Sequence, residues 1–462
     1  MLSYTGHPFL DVGLAVITVF SEKERPEYLT QDDLVKMADF IKENYYVPYL
    51  ISYLHSTIIP NNRYFQKVNC EKQNKKVNFD ELNQFYNTYL YGYLHTAREV
   101  NRKCVFFNKP AIALASKDHI PLLTGKDYPN FMANGQLGLA ISPEAALCFQ
   151  SLALGTLKCN GKALLIHSND YDIVQDLAKI HLDEHRKLIS LSSDEIIELH
   201  NPKTILLEHL TRIYRTNYNK IQKNNSSVTI YNFINYNTNA DIEIYHLPME
   251  QVKFLKRAVG AKYCDIWDKI VNKSLKVEKR KTKKSKTEYE SRKRQIYEDM
   301  FDLPDNASKF IRTYFLRKSI KEDIELINWD ITALLLEEIL KMEKERIEII
   351  KNFADKIAKY ILKTENGKKI FKLFFNKNSY YKFKDSLISL LLKSTKDEGG
   401  LLFNFDEFTN IFEISEDWEK KDWSLSKDLI AIRLIEQLYE NGWFSKNDNK
   451  EIIENEELEI EE

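Results

Sequence analysis

The pattern of apolar and polar residues divides the chain into a mixed first part and a helical second part. Beyond Asp299, apolar residues recur at intervals of three and four, as they do in amphipathic helices that pack into a bundle. Before that position, shorter segments of alternating apolar and polar residues predict strands between helices. The pattern therefore predicts an α+β fold class, with an N-terminal mixed α/β domain followed by a C-terminal α-helical bundle.

The first part contains both kinds of element. Thr30 is a helix-capping residue type, and the apolar residues that follow it have helical spacing. The apolar run Leu14–Phe20 suits either a buried strand or a helix, because its length does not separate the two. Further helices are predicted across Val47–Ile58, Phe79–Glu99, Tyr171–Leu188 and from Pro248 through Trp267, and strands over 163–168, 228–237 and 241–246.

Charge marks a boundary between the two parts. Eleven Lys or Arg and three Glu stand between Lys273 and Arg294, which gives a local net charge of +8. Self-repulsion and the shortage of apolar residues predict a mobile linker or an extension of a helix there. The predicted domains are 1–272 for the α+β domain, 273–298 for the basic linker, 299–446 for the helical bundle and 447–462 for a disordered acidic tail.

The whole-chain composition fits a folded cytoplasmic protein. With 462 residues, 43% of them hydrophobic, the chain is long and apolar enough for two or three domains. The formal net charge is −1, so a polyanionic partner has to be inferred from local charge. Because the five cysteines form no disulfide framework and no apolar run reaches membrane-spanning length, we expect cytoplasmic localisation and no membrane partner.

One motif is compatible with an enzyme. His181, Glu184 and His185 fit the H-x-x-E-H form of an inverted zinc-peptidase motif, which places both histidines on one helix face. Such a short motif arises by chance and needs a third ligand, so the sequence favours a charged helix that exposes two histidines. The segment Gly155–Ala163 resembles a phosphate-binding loop, but five residues separate its glycines where four are required. We expect no catalysis and no cofactor, and keep a zinc metallopeptidase as an alternative.

Another pattern has the frame of a zinc ribbon. Such a site needs two loops that each present two thiolates, and the frame places these at positions 104 and 107 and at 142 and 145. Only Cys104 carries a thiol, since the other positions hold Phe107, Ser142 and Ala145. A lone thiolate cannot hold the ion. We therefore predict a degenerate, metal-free zinc ribbon over about 104–145.

Several segments occur in a fixed order over roughly the first 250 residues. They are Thr5–Gly13, Pro110–Ala111 within the ribbon frame, Asn130–Phe131, Gly138–Gly155, Ile166–Ser168, and the strand from Val228 that leads to Glu243–Pro248. In this order, these segments resemble the large subunit of the type I CRISPR effector complex, Cascade, in its type I-B lineage.

The resemblance implies a non-catalytic subunit that works in antiviral defence. It would bind the 5′ end of the crRNA and target double-stranded DNA, recognise the PAM and help form the R-loop, while guide pairing reads the sequence. The implied partners are the backbone, crRNA-end and small subunits of Cascade, and a helicase-nuclease that is recruited after target binding. A free-standing nucleic-acid-binding scaffold protein is a further alternative.

Candidate nucleic-acid contacts lie in three polar or basic segments. Asn and Lys side chains offer donors to base edges and phosphates, and clustered cations suit a phosphate backbone. Ordinary solvated loops or linkers remain the other interpretation. The candidates are Asn61, Asn62, Arg63, Lys72 and Lys75 in a polar loop, Asn108 and Lys109 in the ribbon frame, and Lys279, Arg280, Lys281, Lys283, Lys284 and Lys286 in the basic segment.

Overall fold

The computed structural model describes residues 1–45, 47–59, 100–123, 135, 138–192, 199–217, 226–236, 240–281, 288–316, 323–375, 379–398, 400–413 and 423–445. The chain forms two compact units. The first comprises Met1–Val252 and Val277–Lys293, and the second comprises Lys253–Lys276 and Arg294–Glu462.

The first unit begins with α1 (Pro8–Phe20), so the apolar run after Gly13 is a helix and not a strand. Pro8 occupies the first helical turn, where its missing N–H costs nothing, and the His7 imidazole accepts a hydrogen bond from the Leu10 N–H. Every residue from Leu10 to Thr18 is buried. α1 is therefore an internal helix that is covered on all sides.

The next helix, α2 (Gln31–Asn44), starts with the capping predicted at Thr30. The Thr30 hydroxyl and the Asp33 carboxylate accept hydrogen bonds from each other's backbone N–H. The other elements before residue 248 are α3 (Pro48–Tyr53), β1 (Val100–Lys103), β2 (Pro110–Ala111), β3 (Ala113–Ala115), β4 (Leu139–Ile141), α4 (Pro143–Ser151), β5 (Leu157–Cys159), β6 (Lys162–Ser168), α5 (Tyr171–Ser190), α6 (Pro202–Asn217), β7 (Val228–Ile234) and β8 (Asp241–Leu247).

Four of these strands make one antiparallel sheet in the order β5-β6-β7-β8. The predicted strand at 163–168 and the predicted hairpin of β7 and β8 are confirmed. Alternation along β6 gives the sheet two faces. Ala163 and Leu165 belong to the core around α1, whereas Leu164 and Ile166 are buried on the opposite face.

Two glycines allow α1 to pack closely on its neighbours. α1 lies against α4, α5 and β6, and also against the 3-10 turn Leu152–Gly155 that extends α4. A Cβ on Gly13 would lie 1.9 Å from the carbonyl oxygen of Cys148 in α4. A Cβ on Gly155 would lie 2.5 Å from Val12 Cγ1. The separation of α1 from α4 is thus set by residues without side chains.

From residue 249 onward the chain forms α7, which passes from the first unit into the second, two strands that belong mostly to the first unit, and the helices of the second unit. They are α7 (Met249–Ala258), α8 (Cys264–Lys273), β9 (Leu275–Lys281), β10 (Glu288–Arg294), α9 (Gln295–Asp299), α10 (Ala307–Ile311), α11 (Trp329–Glu338), α12 (Lys344–Lys363), α13 (Gly367–Leu373), α14 (Tyr380–Glu398), α15 (Phe405–Phe412) and α16 (Trp423–Glu440). α12 packs along α16, and the Arg433 Nε donates to Asp355 Oδ1 over 2.7 Å between them. The α+β fold class, with helices in the C-terminal half, is confirmed.

The segment predicted to be a linker has a different structure. Within 273–298, β9 and β10 pair into a two-stranded sheet, which we call the basic ribbon, and α9 follows it. Residues 253–272, which the sequence analysis assigns to the first domain, belong to the second unit. The helix predicted at Phe79–Glu99 and the acidic tail predicted at 447–462 lie outside the described residues. Among the described residues, no helix combines the length and apolar character needed to cross a membrane.

Replacing Gly13 with alanine should destabilise the first unit. The new methyl group would meet a backbone oxygen that cannot rotate away. We expect Gly13→Ala to lower the free energy of unfolding by about 3 kcal/mol, although alanine is the better helix former. Urea unfolding followed by circular dichroism measures the change. Gly400→Ala is the matched control, because a Cβ at Gly400 has no atom within 4 Å; equal stability of the two variants would contradict the close contact.

Candidate nucleic-acid interface

The ribbon frame forms a tight turn between β1 and β2. The Cys104 N–H donates to the Lys109 carbonyl over 2.7 Å, and the Asn108 N–H donates to the Cys104 carbonyl over 3.0 Å. Asn108 has a φ of 54°, a left-handed conformation that Asn tolerates better than most residues. The Val105 N–H donates to the Ala140 carbonyl over 3.0 Å. We call residues 102–110 the knuckle.

Apolar packing occupies the place where the frame would hold zinc. Cys104 and Ala145 are buried in the core around α1, and Phe107 packs against the same core. Ser142 caps α4, since its hydroxyl accepts a hydrogen bond from the Ala145 N–H. Among the described residues, no three His, Cys, Asp or Glu side chains form a group that could hold a metal ion. The knuckle is thus attached to the fold by apolar contacts and backbone hydrogen bonds.

One of the two predicted contact residues on the knuckle takes part in an ion pair. The Lys109 Nζ lies 2.7 Å from Glu144 Oε1, so the charge of this predicted contact is offset inside the protein. Burial is the largest single effect and raises the pKa of Glu144. The hydrogen bonds from Lys109, Ser142 and the Glu144 backbone, together with the Lys109 charge, outweigh it, so the pKa lies below its usual value. Asn108 is exposed. Arg102 and Lys103 on β1 are exposed cations that the sequence analysis missed, although they directly precede Cys104.

The basic ribbon contains three of the residues that were predicted to contact the phosphate backbone of a nucleic acid. Lys279, Arg280 and Lys281 lie in β9. The other predicted contacts lie outside the described residues: Lys283, Lys284 and Lys286 in the basic segment, and Asn61, Asn62, Arg63, Lys72 and Lys75 in the polar loop.

Within the first unit, a side chain from outside the ribbon anchors β10. The Asn201 Nδ2, just before α6, donates to Ser291 Oγ over 3.1 Å and to the Arg292 carbonyl over 2.9 Å. Ser291 is buried, while the Arg292 side chain is exposed and Lys293 is half-buried. The anchored strand therefore presents cations next to a fixed attachment point.

The N-terminal segment Thr5–Gly13 folds around one buried carboxylate. Asp11 is fully buried, and its Oδ1 accepts from the Thr5 N–H and hydroxyl over 2.8 and 2.9 Å. Its Oδ2 accepts from the Gly6 N–H over 2.8 Å and lies 3.3 Å from His167 Nε2. The carboxylate is enclosed by donors from its own chain, so it stabilises the turn and is closed to a substrate.

The fold brings several separated segments of the sequence pattern together. Gly13 of the N-terminal segment contacts Cys148, and Gly155 contacts Val12. His167, from the segment Ile166–Ser168, lies against Asp11. Segments that are more than 130 residues apart in sequence thus share one packed region. None of these contacts was derivable from spacing along the chain.

The two histidines of the H-x-x-E-H motif are structural, and the expectation that they are exposed is wrong. His181 and His185 are each 1% exposed. The His181 Nδ1 donates to the Gly155 carbonyl and the His185 Nε2 donates to the Thr156 carbonyl, both over 2.8 Å. Glu184 is exposed, away from both rings. This geometry contradicts a zinc metallopeptidase site.

Burial keeps both imidazoles neutral. Desolvation lowers the pKa of His181 to about 3 and that of His185 to about 4, although their hydrogen bonds to carbonyls act in the opposite direction. In the unfolded chain both would titrate near 6.5. The folded state therefore binds fewer protons than the unfolded state below that pH.

The stability of the protein should fall on acidification through these histidines. Full stability is present above pH 6.5 and is lost as the pH falls toward 4, by up to about 1.4 kcal/mol per pH unit for each histidine. The double variant His181→Asn/His185→Gln keeps an N–H donor at each position and should show a flatter dependence. Urea unfolding between pH 7 and 4.5 measures the slope. A double variant that keeps the wild-type slope would refute the assignment.

The isosteric variant Asp11→Asn should lower the free energy of unfolding by about 1–3 kcal/mol. The new amide NH₂ group would replace an oxygen that accepts hydrogen bonds and would face the donor groups of Thr5 or Gly6. Thermal or urea unfolding measures the loss. Asp39→Asn, a half-buried carboxylate on α2, should change stability by less than about 0.5 kcal/mol. Equal effects of the two variants would show that the enclosed carboxylate does not stabilise the turn.

Comparison with known proteins gave no match. No protein-family model, no curated protein and no solved structure matches the chain.

Proposed function

We propose that the chain is a non-catalytic large subunit of a type I CRISPR Cascade complex, which binds the crRNA 5′ end and target DNA, recognises the PAM and assists R-loop formation. The proposal combines the family resemblance of the sequence with the surfaces described above. The single observation that carries it is the basic ribbon, a pair of strands that holds more cations than carboxylates and is anchored through Asn201.

The basic ribbon has the form and charge of a nucleic-acid-binding element. The segment Lys273–Arg294 carries eleven cations and three carboxylates. A two-stranded ribbon has the width to enter the major groove of a duplex, and clustered cations release counterions from phosphates when they bind. Because Asn201 holds β10 in place, less conformational freedom is lost on binding than for a free linker.

The knuckle supplies a second group of polar contacts. Arg102, Lys103 and Asn108 are exposed there, and the turn that carries them is closed by backbone hydrogen bonds. Lys109 is a weaker candidate than the sequence suggested, because Glu144 offsets its charge. We assign the knuckle to polar contacts with the duplex beside the target.

The second unit adds cations at the junction of α12 and α13. Lys359 and Lys369 are exposed and Lys368 is half-buried. None of these three has an ion-pair partner among the described residues. Unpaired lysines on helices suit contacts with the backbone of a displaced single strand.

A non-catalytic role agrees with the use of the titratable groups. Asp11 is enclosed by donors, while His181 and His185 donate to carbonyls within the fold. The second candidate function, a free-standing nucleic-acid-binding scaffold, draws on the same ribbon and knuckle. It differs only in forming no complex with guide-bearing subunits.

Neutralising the basic ribbon should weaken binding to all sequences alike. For the triple variant Lys279→Ala/Arg280→Ala/Lys281→Ala we expect the slope of log affinity against log salt to fall by roughly two to three, with a loss of affinity of roughly 10- to 100-fold at low salt. Fluorescence anisotropy with labelled duplexes that differ only in the PAM measures both quantities.

The matched control removes the same number of charges from another surface. Lys36→Ala/Lys179→Ala/Lys187→Ala changes three exposed lysines on α2 and α5 and should leave the slope unchanged. Equal losses in the two triple variants, or a loss confined to one PAM, would contradict backbone binding by the ribbon. Co-purification with crRNA and a repeating backbone subunit separates the Cascade subunit from the free-standing scaffold.

A further inference from the structure

The sheet of the first unit ends in an open edge. β8 pairs with β7 along its full length, and among the described residues no strand pairs with its other side. Half of the backbone N–H and C=O groups of an edge strand point outward and are able to pair with another chain. With seven residues, β8 is longer than the average strand.

One face of this edge is apolar and accessible. Ile242 and Ile244 are 36% and 57% exposed. They continue a row of aromatic side chains, because Ile244 lies opposite Tyr231 on β7 and Ile242 lies opposite Phe233. The ring of Phe9, from α1, packs 4.9 Å from that of Phe233, and both Phe9 and Tyr231 are half-buried.

The other face of the edge is acidic and already partly neutralised. The Lys162 Nζ lies 2.6 Å from Asp241 Oδ2 and 2.8 Å from Glu243 Oε1. The Tyr245 hydroxyl donates to Glu243 Oε2 over 3.1 Å. Any strand added to this edge must avoid placing a carboxylate opposite Asp241 or Glu243, since like charges directly opposite destabilise a sheet.

We propose that β8 pairs with β8 of a second copy of this chain, antiparallel and with the two-fold axis at Ile244. In this register Ile244 lies opposite itself and Ile242 lies opposite His246. On the other face Glu243 lies opposite Tyr245, and Asp241 lies opposite Leu247. The two exposed isoleucines are covered and no carboxylate lies opposite another.

The neighbouring registers are less favourable for reasons of charge or packing. Residues directly opposite each other in an antiparallel pair point to the same face, so an odd-numbered residue must lie opposite an odd-numbered residue of the second copy. The alternative registers therefore place the two-fold axis at neighbouring residues of β8. An axis at Glu243 sets this carboxylate against itself, and an axis at Ile242 sets Asp241 against Glu243. An axis at Tyr245 pairs Ile244 with His246 and removes the contact between isoleucines. The sequence of β8 is therefore self-complementary in one register.

A disulfide at the proposed axis tests the register. Residues opposite each other in an antiparallel pair have Cβ atoms about 4.5–5.5 Å apart, so an Ile244→Cys variant should form a covalent dimer under mild oxidation. Leu191→Cys is the matched control, because Leu191 is 68% exposed but follows α5 and is not part of β8. Non-reducing electrophoresis of the full chain, with the wild type for background, should show at least a tenfold higher dimer fraction for Ile244→Cys.

The oligomeric state in solution gives an independent measurement. Light scattering after size exclusion should show a concentration-dependent dimer for the wild type, and Ile244→Lys should remain monomeric because an exposed lysine would face its own copy across the axis. The Ile244→Lys variant should still bind DNA, so loss of the dimer and failure of the proposed function are separate outcomes. A wild type that is monomeric at high concentration, together with equal crosslinking of the two cysteine variants, would overturn the proposal.

Discussion

The first unit depends on the close contact between α1 and α4. Gly13 lies directly against the Cys148 carbonyl, and Gly155 lies against Val12. Because no side chain separates the helices there, even one added methyl group would force them apart. The same packing sets Asp11 beside His167 on β6 and sets the start of α4, with Ser142 and Ala145, beneath the knuckle. Positions on the surface are therefore determined by a contact deep in the interior.

The knuckle illustrates how a turn keeps its place without a metal crosslink. In a zinc ribbon, the coordination of four thiolates supplies folding free energy directly. Here Cys104, Phe107 and Ala145 join the apolar core, and the rings of Phe106 and Phe149 lie 5.5 Å apart. Burial of apolar surface depends on area and not on coordination geometry, so it tolerates substitution more readily. Apolar packing of this kind accounts for a turn that is closed by backbone hydrogen bonds and held against the core around α1.

Local sequence signals predicted the fold well where the determining contacts are local. The capping residues Thr30 and Asp33 and the alternation in β7 and β8 identify their elements without further information. The basic ribbon was missed because repulsion between its cations favours a linker, while the bond from Asn201 that anchors β10 comes from about 90 residues away.

The candidate site was less predictable for the same reason. Charged neighbours on a helix predict that the histidines between them are exposed. His181 and His185 are buried instead, because they donate hydrogen bonds to the carbonyls of Gly155 and Thr156, which are distant in sequence. The sequence shows that Lys109 is a cation, but its pairing with Glu144 depends on how the knuckle meets α4. Arg102 and Lys103 were open to prediction from their position beside Cys104, since a cation next to a tight turn is usually exposed.

The two buried imidazoles hold their protons on different ring atoms. A carbonyl oxygen only accepts, so the neutral His181 carries its proton on Nδ1 and the neutral His185, one helical turn later, carries its proton on Nε2. Asparagine mimics the first tautomer and glutamine the second. Exchanging these two amides between the positions would leave both carbonyls without a donor, so one helix face distinguishes two side chains that differ by a single methylene group.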